Sequence, residues 1–207
     1  MGRRTLGIRG AGRRRRSARP VKANGCDAKC VFLVGPRASG KTSLGRMLAR
    51  QTGMPFVDTD QHLQEALGKS IARIVADEGW PAFRAHESRT LRQVADLHPA
   101  GCIVATGGGM VLDPKNRLFM RARGLVLHLD APAADLEARL ALEPLAEQRP
   151  ALSASPARDS LARMLAERAP LYAQAAHHRL DAARPLGEVC ACALRLLGAP
   201  PLAEKST

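Results

Sequence analysis

Gly35-Pro36-Arg37-Ala38-Ser39-Gly40-Lys41-Thr42 constrains the fold of this chain more than any other stretch, because it matches G-x-x-x-x-G-K-[ST] at every fixed position. An apolar run of strand length, Cys30 to Val34, leads into it. Leu44, Met47 and Leu48 follow at helical spacing, up to Gly53. Strand, glycine loop and helix are the setting the motif needs. The glycines let backbone N–H groups turn inward around phosphate oxygens, and the helix N-terminus adds its partial positive charge. Lys41 is then placed for the β- and γ-phosphates, and the Thr42 hydroxyl for Mg²⁺. The bland alternative is that Gly35 and Gly40 are turn residues only.

The rest of the chain alternates in the same way. Phe56-Val57 reads as a second short strand stopping at Asp58, and Ser70 is placed to cap a helix carrying Ile71, Ile74 and Val75. Leu91, Val94 and Leu97 give a further helix over 83–97. Cys102 to Ala105 is a third strand, cut off by Thr106-Gly107-Gly108-Gly109. Leu125 to Leu129 is a fourth, opened by Gly124 and followed by Pro132 at a helix start. A polar, proline-containing stretch over about 143–160 breaks the pattern, helical spacing resumes at Leu161, Met164 and Leu165, and a last helix runs from about Leu186 to Leu197. Alternating strands and helices imply an α/β chain with a parallel sheet covered on both faces. No internal repeat or linker divides it, and 207 residues suit one domain.

The phosphate loop does not say what receives a phosphoryl group. Asp58-Thr59-Asp60 directly follows the second strand, and ligands of such sheets gather at the carboxyl ends of the strands. One carboxylate can serve the Mg²⁺ shell while the other orients an acceptor hydroxyl or takes its proton. The competing reading is a helix N-cap cluster. Three glycines in a row, Gly107 to Gly109, end the third strand at the same edge, where a ligand must approach the backbone closely or the chain merely turns.

Charge is uneven. Lys and Arg number 32 against 19 Asp and Glu, a net +13, yet residues 1–29 hold ten basic side chains and one acid, +9 of that total. The basic excess thus belongs to a leader, read as a disordered extension or a stretch upstream of the natural start. It has no apolar region of secretory or membrane-spanning kind. Aromatic residues make up only 3%, which argues against reading bases by stacking. Five cysteines (Cys26, Cys30, Cys102, Cys190, Cys192) with no C-x-x-C pair indicate neither zinc nor a disulfide framework, and a reduced, cytoplasmic setting fits them. His177-His178 reads as surface histidines rather than a metal pair, and Trp80 as a packing residue.

Taken together, Phe56-Val57-Asp58-Thr59-Asp60, Ile71-Ala72 through Glu78-Gly79-Trp80, Phe83-Arg84 with Glu87, Ala105 to Gly109, Arg149-Pro150 and Glu167-Arg168-Ala169-Pro170-Leu171-Tyr172 resemble shikimate kinase. The likeness covers about Cys30 to Asp181, and Gly35-Pro36-Arg37 with Asp60-Gln61-His62-Leu63-Gln64 is similar to the second bacterial isoform type. The resemblance implies a P-loop three-layer sandwich of the nucleoside monophosphate kinase kind: a five-stranded parallel sheet, a substrate-binding helical region and a lid. It implies a kinase domain over 30–198 with the lid at about 143–160, and a tail over 199–207.

The same resemblance implies ATP-dependent phosphorylation of the shikimate 3-hydroxyl, a step towards chorismate and the aromatic amino acids. Ala38, Ser39, Gly40, Lys41, Thr42 and Ser43 would wrap the ATP phosphates, and Thr42 and Asp58 would hold Mg²⁺. Asp60 would bind the accepting hydroxyl and act as base; Lys41 and Arg149 would join it in catalysis. Arg84 and Arg168 would grip the substrate carboxylate, Gly107, Gly108 and Gly109 would meet the ring hydroxyls, and Glu87 would hold Arg84 from one helical turn away. Arg184, before Pro185, is the candidate at the adenine, with Arg149 reaching the nucleotide from the lid. Shikimate and ATP are the implied partners of a monomer, without membrane or nucleic acid. Two rivals remain: a kinase for another small acceptor such as gluconate or a nucleoside monophosphate, and a nucleotide-binding or nucleic-acid-associated regulator using the Arg-rich leader.

Overall fold

The computed structural model describes residues 30–142 and 161–199. The stretches expected to be a basic leader (1–29) and a lid with Arg149 (143–160), and residues 200–207 of the expected tail, lie outside these described residues.

The first strand, β1 (Cys30–Val34), enters the phosphate loop, and α1 (Lys41–Thr52) leaves it. Then come β2 (Phe56–Asp58), α2 (Thr59–Leu67), the long α3 (Ile71–Leu97), β3 (Ile103–Ala105), a 3-10 turn at Met110–Leu112 and α4 (Pro114–Arg123). The chain continues through β4 (Gly124–Asp130), α5 (Ala133–Ala141), α6 (Leu161–Ala175), β5 (His178–Asp181) and α7 (Leu186–Leu196). All pairings are parallel, in the order β2-β3-β1-β4-β5. The order turns about β1, so the crevice beyond its carboxyl end is where such a sheet takes a ligand.

The strands explain the sheet's position. β1 alternates between two cores: Val31 and Leu33 face one, Cys30, Phe32 and Val34 the other. Leu44 and Leu48 of α1, Leu136 of α5 and Val189, Ala193 and Leu194 of α7 cover the first face. Leu91 and Val94 of α3, Met120 of α4 and Tyr172 and Ala175 of α6 cover the second. Each fully buried Leu, Val or Met among them stabilises the fold by about 1.5–3 kcal/mol. With so few aromatics, the cores are mostly aliphatic, as the composition requires.

A third, smaller cluster lies apart. Leu63 of α2 packs with Ile71, Ile74 and Phe83 of α3, and Val75 and Trp80 lean on it. The helices expected from Ser70 and over 83–97 are joined into one element, broken at Gly79 (φ 81°, ψ 168°). That backbone region is essentially closed to side chains other than glycine. Ser70 does cap, its Oγ accepting from the Arg73 N–H at 3.2 Å. The fifth strand runs along β4 and begins at His178, with His177 in the bend just before it. The exposed His177 accepts the Val126 N–H on Nδ1 at 3.0 Å.

Candidate active site

A cleft of about 690 Å³ opens at the carboxyl ends of the strands. All the site residues foreseen within the described segments line it: 38–43 of the phosphate loop, Asp58, Asp60, Arg84, Gly107 to Gly109, Arg168 and Arg184. Arg149 is the exception, outside the described residues. The chain brings its candidates together from six separate segments.

At the phosphate loop, Lys41 Nζ donates to the carbonyls of Gly35 (3.0 Å) and Pro36 (2.6 Å). Ser39 is buried beneath, and Ala38 is held at φ 61°, a left-handed conformation that costs a non-glycine residue about 1–2 kcal/mol. Strain at such a place belongs with a loop shaped to bind rather than to turn.

Asp58 caps a helix with one oxygen and meets the phosphate loop with the other. One oxygen, Oδ1, accepts from the N–H groups of Asp60 (3.0 Å) and Gln61 (3.3 Å), capping α2. The other, Oδ2, accepts the Thr42 hydroxyl at 2.7 Å. A hydroxyl and a carboxylate oxygen beside the phosphate loop are the hard donors that Mg²⁺ prefers, and Mg²⁺ commonly takes one or two protein ligands and completes its shell with phosphates and water. Thr42 and Asp58 therefore fit that ion. Thr59, between the two aspartates, is buried and accepts the Gly107 N–H on its hydroxyl at 3.1 Å. The Asp-Thr-Asp turn and the glycine loop are thus bonded to each other.

The glycines are needed for close approach. A Cβ on Gly107 would lie 2.6 Å from both Asp60 Oδ1 and Glu87 Oε1, and one on Gly109 would run into the Arg84 guanidinium. The side chains of the site pack directly on this backbone. Arg84 is ion-paired with Glu87 one turn on, and its guanidinium lies over the rings of Trp80 (5.1 Å) and Phe83 (5.2 Å). Trp80 packs edge-on to Phe83, so it is a packing residue that also fixes Arg84. Burial pushes the Glu87 carboxyl up to about 7; Arg84 pulls against this, the Asp60 charge adds to it, and Arg168 opposes it weakly.

Arg168 is half-buried on α6 and lines the cleft with Arg84. Arg184 stands at the far edge, paired with Glu188 at 2.5 Å and about half exposed. Beside it lies Arg139 of α5, which the sequence reading passed over. It donates to the carbonyls of Ala38 (3.4 Å) and Ala182 (2.8 Å), so it bridges the phosphate loop to the turn after β5. No spacing rule marks this residue among the chain's many arginines; only the fold brings α5 to the loop. Leu186 and Val189 make this end of the cleft apolar.

The chain matches the family model described as shikimate kinase over residues 37–196. It is 47% identical to "Shikimate kinase 2" of Sodalis glossinidius over 167 residues, 81% of this chain and 94% of that one. Among solved structures it is similar to shikimate kinase from Acinetobacter baumannii in complex with shikimate, at 30% identity and TM-score 0.73, covering 82% of this chain and 92% of that one. It is also similar to shikimate kinase from Bacteroides thetaiotaomicron, at 28% identity and TM-score 0.72, covering 82% and 98%.

Proposed function

The chain belongs to the shikimate kinase family, and on that premise we propose how its cleft moves the terminal phosphoryl group of ATP onto the 3-hydroxyl of shikimate, giving 3-phosphoshikimate and ADP. One observation carries the assignment of residues. Asp60, Arg84 and Arg168 share a single cleft with the phosphate-loop lysine, and Asp60 and Arg84 are pressed onto the same glycine loop.

The nucleotide phosphates lie along 38–43, and Lys41 gives up the loop carbonyls it now holds for the β- and γ-oxygens. The base points to the apolar end, between Arg139 and Arg184. Thr42 and Asp58 would hold Mg²⁺, which when bound would neutralise charge on the phosphates. Shikimate is an anion with a ring of hydroxyls. The forked guanidiniums of Arg84 and Arg168 suit its carboxylate, since each can form two parallel hydrogen bonds. Asp60 accepts the 3-hydroxyl proton as that oxygen bonds to the γ-phosphorus and the bond to the ADP oxygen breaks. Arg149, from the stretch outside the described residues, brings positive charge to the transferring group. The free thiols of Cys30, Cys102, Cys190 and Cys192 suit a cytoplasmic enzyme.

Asp60→Asn tests the assignment. The variant keeps the shape but cannot take the proton, so turnover is expected to fall by about 10²–10⁴-fold. Affinity for ADP, measured by titration calorimetry, should stay unchanged. Turnover within a fewfold of wild type would remove Asp60 from this role.

A further inference from the structure

The sole tyrosine of the chain, Tyr172, lies behind the glycine loop, and no step above uses it. Its phenol donates to the Gly108 carbonyl at 2.8 Å across a sequence separation of 64 residues. Arg168, one helical turn earlier on α6, lies near enough for its charge to act on the phenol. The ring is buried and stacked on His128 of β4, centroids 4.8 Å apart and planes 14° from parallel, which fixes the direction in which the hydroxyl points. Burial pushes the phenol up to about 12, with Arg168 and Arg84 pulling it back, so it remains a neutral donor.

The bond falls at a sensitive place. Three further polar groups of the loop are held within the fold: the Gly107 N–H by Thr59, the Gly107 carbonyl by the Met110 N–H (3.1 Å) and the Gly109 carbonyl by the Leu112 N–H (3.0 Å). On one side Gly108 sits against the phosphate loop, a Cβ there lying 3.5 Å from Gly35 O and Arg37 N. On the other, Gly109 carries Arg84. The Gly108 peptide therefore spaces the donor loop from the acceptor pocket. From this geometry we infer that Tyr172 is a positioning residue for phosphoryl transfer: its hydroxyl holds the Gly108 carbonyl, and so sets the acceptor pocket against the phosphate loop. A displacement of about 1 Å at such a contact can cost on the order of 10²-fold in rate.

The inference rests on the site assignment above. Wild-type protein without shikimate turnover would defeat that assignment; the following comparison, made against an active wild type, tests Tyr172 alone. Tyr172→Phe removes one hydroxyl and keeps the stack. It is expected to lower kcat/KM for shikimate by about tenfold, the scale of one lost hydrogen bond with a carbonyl left unpaired. ADP affinity should stay within twofold. Trp80, the only tryptophan and a cleft residue, reports shikimate binding by fluorescence without turnover, and should show weakened affinity in the variant. Growth on 3-fluorotyrosine labels position 172 alone and keeps the hydroxyl. That protein should retain wild-type kcat/KM within about twofold, and its ¹⁹F resonance should move when shikimate saturates the site. Shikimate kinetics unchanged in Tyr172→Phe, or an equal loss of ADP affinity, would overturn the proposal. Should that variant fail to fold, a ¹⁹F resonance indifferent to shikimate would overturn it instead.

Discussion

At the scale of single residues, Glu87 is the group whose environment departs furthest from its sequence. Nothing in Phe83-Arg84 with Glu87 announces more than an i,i+3 pair. The fold buries the carboxyl among Arg84, Arg168, Asp60 and the Gly107 backbone, and burial outweighs the cations. Raised from 4.5 to about 7, Glu87 keeps in the folded state a proton that the unfolded chain has already released. Its contribution to stability is present in full below pH 4.5 and is lost as pH rises to about 7. Thermal unfolding of wild type and Glu87→Gln across this range should therefore show wild type losing stability relative to the variant as pH climbs, with the difference level above about 7. A difference independent of pH would mean that Glu87 ionises normally. Asp58 teaches the complementary lesson. The sequence offered a metal ligand or a helix cap; one oxygen of the carboxylate makes the cap and the other accepts the Thr42 hydroxyl of the phosphate loop.

At the scale of elements, the legible parts were those written in local pattern. β1 runs over the residues its apolar run predicts, and α1 ends at Gly53, as its glycine stop requires. The residues that escaped notice depended on distant partners. The four-residue β5 has only Leu180 buried, so it carries no apolar run and exists by pairing with β4. Helix α2 hides because its cap, Asp58, also ends a strand. Helix α4 begins with capping Asp113 and Pro114, a signal that was present and not taken up. In α3 the break at Gly79 precedes Trp80, Phe83 and Arg84, all of which line the cleft. Gly79→Ala forces a side chain into a region of backbone space where strain costs about 1–3 kcal/mol. The variant should lose stability on that scale in denaturant unfolding and bind shikimate more weakly by Trp80 fluorescence. ADP affinity should survive, because α1 and the phosphate loop belong to a different core. Equal loss of both ligands would show that the break is not local to the acceptor side.

At the scale of the whole molecule, gross charge misdirects and placement informs. Most of the +13 resides in residues 1–29, before the first residue matched by the family model. Within the fold, Lys41, Arg84, Arg168 and the overlooked Arg139 reach one cleft from α1, α3, α6 and α5. Their convergence was legible for three of the four, because their motifs are local; Arg139 needed the sheet order that carries α5 to the phosphate loop. Two cations beside an acidic residue and a phosphate loop describe an enzyme for a small anionic hydroxy-acceptor. The most direct test is ADP release by the full-length protein, with ATP and Mg²⁺ and with shikimate, gluconate, a nucleoside monophosphate or no acceptor. Release should require shikimate and match 3-phosphoshikimate one for one, with the other acceptors at background. Absence of shikimate-dependent release, or faster release with another acceptor, would contradict the account.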